Sequence, residues 1–156
     1  MSVRVGEALG MEKPELELLQ LAAAVHDVGK ISVPQSILTK DGPLDRSEWR
    51  KMRAHSAAGA RLLAACEAPT AIQESVRSHH ERWDGRGYPD RLKAEAIPLA
   101  ARIIAVVDAY WAMVEARPYR PPRQPSSACA ELLIGAGTQF DSNCARVTCS
   151  ILTQTV

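Results

Sequence analysis

Aromatic side chains are scarce in this chain: a single Phe, three Trp and three Tyr among 156 residues. A core of that kind is filled by Ala, Leu, Ile and Val, and abundant Ala and Leu favour packed helices over a sheet. Charge of one sign is also lacking. Nineteen Lys and Arg face eighteen Asp and Glu, a formal net charge of +1, which argues against a general affinity for nucleic acid or anionic membrane. The four cysteines (Cys66, Cys129, Cys144, Cys149) form no CxxC pair; a structural zinc site is not expected, and reduced thiols of a cytoplasmic protein are. No apolar run reaches the ~18 residues of a membrane span, and no signal-peptide core follows the N-terminus, which carries Glu7 and Glu12. The length suits one domain with one core.

Punctuation by Pro and Gly divides the chain into six or seven expected helices. A short piece over Ser2–Leu9 stops at Gly10. Pro14 opens the next, whose apolar positions Leu18, Leu21, Ala22 and Val25 recur with helical period as far as His26-Asp27. Gly29 and Pro34 break it. Asp45, with Glu48 three residues on, reads as an N-cap and capping box for a helix through Trp49, Met52 and His55. A further helix runs from Pro69 to His79. Trp83–Asp90, with two Gly and a Pro, reads as an ordered loop. Pro98 begins an apolar helix through Tyr110; Pro118–Pro125 should be irregular; shorter helices follow near Ser127–Ile134 and Asn143–Leu152.

The chain has four histidines, His26, His55, His79 and His80, all near expected helix ends, with Asp27 and Glu81 adjoining them. A helical bundle can gather such ligands from facing helices. Imidazole with carboxylate suits Mn, Fe, Ni or Zn. Asp108 lies among Ala105, Val106, Val107 and Tyr110, where an unpaired buried charge would be costly and a metal would supply a partner.

The run His26-Asp27-Val28-Gly29-Lys30, then His55, then His79-His80-Glu81-Arg82-Trp83-Asp84-Gly85-Arg86-Gly87-Tyr88-Pro89, then Asp108 and Arg117-Pro118-Tyr119-Arg120, resembles the HD-GYP signature in order and spacing; Gly137–Asp141 resembles that family's closing motif. The resemblance spans about Ser2 to Leu152. It implies an all-α HD-domain bundle, over 1–156, that hydrolyses cyclic di-GMP to linear pGpG and onward to GMP with two divalent ions, Fe or Mn first, Ni or Zn as alternatives. His26, Asp27 and Asp108 would hold one ion; Asp27, bridging, with His55, His79 and His80 would hold the other. Asp27 and Lys30 would serve catalysis, and Lys30, Gly87, Tyr88, Pro89, Arg117 and Arg120 would contact substrate. Two departures favour a second reading, an impaired module that binds cyclic di-GMP or a signalling partner. Met1 stands where the family has a metal-binding His, as if the first helix began late. Trp111 stands where it has Asp. A homodimer partner or a sensor domain is the expected cover for the N-terminal face.

Overall fold

The computed structural model describes residues 1–115 and 122–153. It is helical throughout, with no β-strand among the described residues. The helices are α1 (Ser2–Ala8), α2 (Lys13–Val25), the single-turn α3 (Gln35–Leu38), α4 (Arg46–Arg53), α5 (His55–Ala65), α6 (Thr70–Ser78), α7 (Leu99–Val114), α8 (Pro125–Ile134) and α9 (Ser142–Thr153), with 3-10 turns at Val28–Ser32 and Ala94–Ala96. The helices outnumber the six or seven expected because the stretch after Asp45 divides at Ala54 and the loop before it holds the short α3. Val25 ends α2 just before His26-Asp27, as the motif spacing implied.

Local chemistry accounts for the starts. Glu12 and Glu15 close a capping box ahead of α2, with Pro14 in its first turn. At α4, Asp45 accepts from the amides of Ser47 (2.7 Å) and Glu48 (2.9 Å), and Glu48 returns a bond to the Asp45 amide (2.8 Å). Each box satisfies donors that a helix start leaves without partners.

The central helix α7 buries Ile103, Ile104, Val106, Val107 and Tyr110, and packs on α1, α6, α8 and α9. Val5, Leu19, Val76, Leu132 and Cys144 complete the interior. The buried face of α2 is set by Leu19 and Ala22, whereas Leu21 is 54 % exposed. The leucine-dense run Leu18-Leu19-Leu21 fits two helical stripes about equally well, and packing against α1 and α6 selects the one through Leu19. Burial pushes the Cys144 and Cys149 thiols up to about 12, and all four cysteines are free. No helix among the described residues is long and apolar enough to cross a membrane.

Asp141 ties the closing motif to α7. One carboxylate oxygen accepts from the amides of Asn143 (2.7 Å) and Cys144 (3.3 Å), capping α9, and the other accepts from Arg102 Nη1 (2.7 Å). Both partners are mostly buried. Asp141→Ala should cost about 2 kcal/mol, the sum of a lost cap and an unpaired Arg102 that keeps its bond to the Ile97 carbonyl. A lowered urea midpoint at unchanged slope would report it.

Candidate metal centre

Three of the histidines share one local device. His26 and His79 are the C-cap residues of α2 and α6, and His55 follows the C-cap of α4. In each, Nδ1–H donates to the carbonyl three residues back: Ala23 (2.8 Å), Met52 (2.7 Å) and Val76 (2.6 Å). A helix C-terminus has carbonyls without partners, so the imidazole caps the helix. The bond also fixes the tautomer, leaving each Nε2 with a lone pair to offer.

Those lone pairs converge. His55 Nε2 lies 3.3 Å from His79 Nε2 and 3.4 Å from Asp27 Oδ1. Asp27, His55, His79 and His80 each present a donor atom, all within 4.8 Å of one another. On the other side, His26 Nε2 stands 3.5 Å from Asp27 Oδ2 and 3.8 Å from Asp108 Oδ1. The six residues named from the sequence thus meet at one point, with Asp27 between the two groups. Asp108, expected to be buried by its apolar flanks, has a side chain 40 % exposed, because its side of α7 opens onto the cluster rather than onto the core.

A close backbone approach sets this geometry. Gly29, in the 3-10 turn after Asp27, packs on α5, and a Cβ added there would overlap the His55 carbonyl and the Gly59 amide. Gly59 lies one turn beyond His55 on the same helix face and would itself meet the Gly29 amide at 3.1 Å. Two glycines let the Asp27 turn sit on α5, which brings Asp27 beside His55. Gly29, expected as a helix breaker, is a contact residue.

The donor set fits a divalent cation. Two Nε2 lone pairs facing each other at 3.3 Å repel unless a positive charge lies between them, and cis ligands at metal–nitrogen distances of about 2.0–2.1 Å stand at a similar separation. His26 Nε2 is buried without a hydrogen-bond partner. Burial holds His79 down at about 4 and His80 at about 3. Burial also lowers His55. Burial acts to raise Asp27, but its bond to Lys30 outweighs that and keeps it ionised; the neighbouring His26 imidazole, 3.8 Å away, lowers Asp108 despite burial, and Asp108 in turn raises His26. Neutral imidazole and ionised carboxylate are the forms that bind metal. The cluster can hold a divalent metal.

The same shifts carry a stability consequence for the metal-free protein. An unfolded histidine titrates near 6.5, so below that pH the unfolded chain takes up protons at His55, His79 and His80 that the folded chain refuses. Stability therefore falls as pH drops from about 6.5 toward about 4, with raised His26 as a smaller opposing contribution. In chelator, the melting temperature should fall steadily over that window; a flat profile would mean that the imidazoles are not held neutral.

Around the cluster, Lys30 Nζ donates to Asp27 Oδ2. The loop after His80 is clamped: Asp84 donates its amide to the Thr138 carbonyl (2.8 Å), the Tyr88 amide donates to the His80 carbonyl (3.3 Å), and buried Glu81 accepts from the Asp90 amide (2.6 Å). Gly87 lies so close to the Arg82 amide and Glu81 Cα that a Cβ would overlap them. The Tyr88–Pro89 bond is cis. Tyr88 stacks on His80, rings 4.9 Å apart and 29° from parallel. Arg117 and Arg120, expected phosphate contacts, and the Pro118–Tyr119 pair lie outside the described residues; Pro122–Gln124 of the expected irregular stretch carry no regular structure. Sequence reasoning missed Glu81 as the loop's clamp and Arg53 beside Tyr88.

The HD domain family model matches residues 1–144. The chain belongs to the HD-domain family, in its HD-GYP group. It is 41 % identical over 143 residues to the cyclic di-GMP phosphodiesterase response regulator RpfG of Xanthomonas campestris, covering 90 % of this chain and 38 % of that protein. It is 35 % identical over 140 residues to 3'3'-cGAMP-specific phosphodiesterase 2 of Vibrio cholerae, covering 88 % and 27 %. The fold matches Bd1817, a HDG"Y"P protein from Bdellovibrio bacteriovorus, with TM-score 0.79 at 18 % identity, over 97 % of this HD-GYP chain and 49 % of that one. The HD-GYP chain thus spans well under half the length of these curated relatives.

Proposed function

We propose that this chain is a metal-dependent phosphodiesterase that hydrolyses cyclic di-GMP to linear pGpG and onward to GMP, in the cytoplasm. One observation carries the reading: four donor atoms of Asp27, His55, His79 and His80 within 4.8 Å, with His26 and Asp108 on the far side of Asp27. His26, Asp27 and Asp108 would hold one ion, and Asp27, His55, His79 and His80 a second, Fe or Mn before Ni or Zn. Divalent ions there supply a Lewis acid for the phosphoryl oxygens and lower the pKa of water toward neutrality.

The chain's own groups bind and orient. Lys30, held by Asp27, offers remaining N–H donors to a phosphate. Tyr88, stacked against His80, forms a wall on that side of the site. Gly87 and Pro89 keep that wall in place, and Arg117 and Arg120 are assigned to phosphate oxygens through their fork of donors. The bonds that the imidazoles donate to the Ala23, Met52 and Val76 carbonyls hold three of them in the orientation that binding requires, so little reorganisation accompanies it.

A second reading, a module that binds cyclic di-GMP or a partner without turnover, is favoured by Trp111, which borders a cavity of about 280 Å³ with His26 and Asp108. Incubation of manganese- or iron-loaded protein with cyclic di-GMP and, separately, 3'3'-cGAMP distinguishes them. Chromatography should reveal pGpG from cyclic di-GMP in preference to cGAMP cleavage. Ligand bound but recovered intact would install the second reading, and faster cGAMP cleavage would change the substrate.

A further inference from the structure

Four groups form a column leading out of the metal centre. Tyr88 stacks on His80, the Arg53 guanidinium carbon lies 5.3 Å over the other ring of the pair, Tyr88, and the same carbon lies 5.6 Å over Trp49. Arg53 ends α4, two residues before His55, and Trp49 lies one turn back on the same helix. Helical spacing of four residues accounts for the Trp49–Arg53 contact. The clamped loop supplies Tyr88.

Several cations of the chain are already paired. Lys30 donates to Asp27, Arg82 to Asp84 in two bonds, Arg77 to Asp90 in two bonds, and Arg123 to Glu131. Arg53 is held by rings: its guanidinium lies over Tyr88 and Trp49, and among the described residues no carboxylate or carbonyl accepts from its N–H groups. A cation carried between two aromatic rings keeps its charge and hydrogen-bond donors while its position is restricted. Donors fixed before a ligand arrives lose less entropy on binding.

We propose that Arg53 is a substrate-binding residue of this site, taking the phosphate of the cyclic dinucleotide that is not at the imidazole cluster. The inference rests on the phosphodiesterase reading above. A cyclic dinucleotide carries two phosphodiesters, and cleavage engages one. The other remains an anion beside the site and needs a donor of matching charge. Arg53 stands two ring contacts from His80, on the side where Tyr88 forms the wall, and its forked donors suit two phosphate oxygens.

The test uses the metal-loaded full chain, with Arg53→Met and Arg53→Lys. Two substrates are compared, cyclic di-GMP and bis(p-nitrophenyl) phosphate, which has one phosphodiester; dissociation constants for cyclic di-GMP come from calorimetry. Arg53→Met should raise KM and Kd for cyclic di-GMP about tenfold, the scale of a lost charge-assisted hydrogen bond. Its loss on the small diester should be at least several-fold less, and Arg53→Lys should fall between Met and Arg. Equal KM and Kd in Arg53→Met and wild type would overturn the proposal. So would an equal loss on both substrates, since Arg53 would then only prop Tyr88. Wild type that cleaves the small diester but neither binds nor cleaves cyclic di-GMP would instead overturn the functional reading, and the proposal with it, and shows itself without any variant.

Discussion

Asp27→Asn should reduce cyclic di-GMP turnover by about 100-fold or more, with at least one equivalent of bound metal lost. Removing a group that only orients a ligand typically costs about 10–100-fold, and Asp27 stands between both donor sets, 3.4 Å from His55 and 3.5 Å from His26. Asn is close to Asp in size but has no charge and only one good acceptor oxygen. It cannot serve two cations from two carboxylate oxygens. The fold should persist, because the Asp27 side chain is 38 % exposed and its strongest bond is to Lys30. Metal analysis and turnover should fall together while helical circular dichroism and the melting temperature in chelator stay near wild type. Retained metal at full stoichiometry would contradict the bridging role proposed for Asp27.

Gly29→Ala should act from the opposite direction, on stability first. The added methyl has no flexible neighbour to displace: it would strike backbone atoms of His55 and Gly59 in α5. Overpacking against side chains costs about 1–3 kcal/mol; against helix backbone the upper end or beyond is expected, so about 3 kcal/mol and a melting temperature lower by about 10 °C. Whatever fraction folds must do so with the Asp27 turn pushed off α5. Metal affinity should therefore fall too, although Gly29 holds no ligand atom. A stable Gly29→Ala protein with normal metal binding would mean the 3-10 turn and α5 are not locked together.

These two positions illustrate what the sequence could convey. The histidines and aspartates could be read as a candidate set because chemistry restricts which residues hold a metal, and because His26 and His79 fall at expected helix ends. Asp45 and Glu48 likewise announce α4 by their own hydrogen bonding. Gly29 was legible only as punctuation, since nothing in a sequence tells a glycine that breaks a helix from one that lets two backbones touch. The division at Ala54 was hidden for a related reason: residues on both sides favour helix, and the break is set by where His55 must point. Asp108 looked buried among apolar neighbours, yet one helix side of α7 faces the cluster. Arg53 reads in sequence as one more surface cation, until the loop brings Tyr88 over it. The choice between Leu19 and Leu21 for the core was likewise decided by what α2 packs against.

The central claim is that Asp27, His55, His79 and His80 bind a divalent cation with His26 and Asp108 completing a second position beside it. Anomalous diffraction from crystals soaked in manganese tests this directly. The account predicts a strong peak within about 2.0–2.3 Å of donor atoms from Asp27, His55, His79 and His80, and a second near His26, Asp27 and Asp108. Ordered manganese bound elsewhere, with none among those imidazoles, would contradict it.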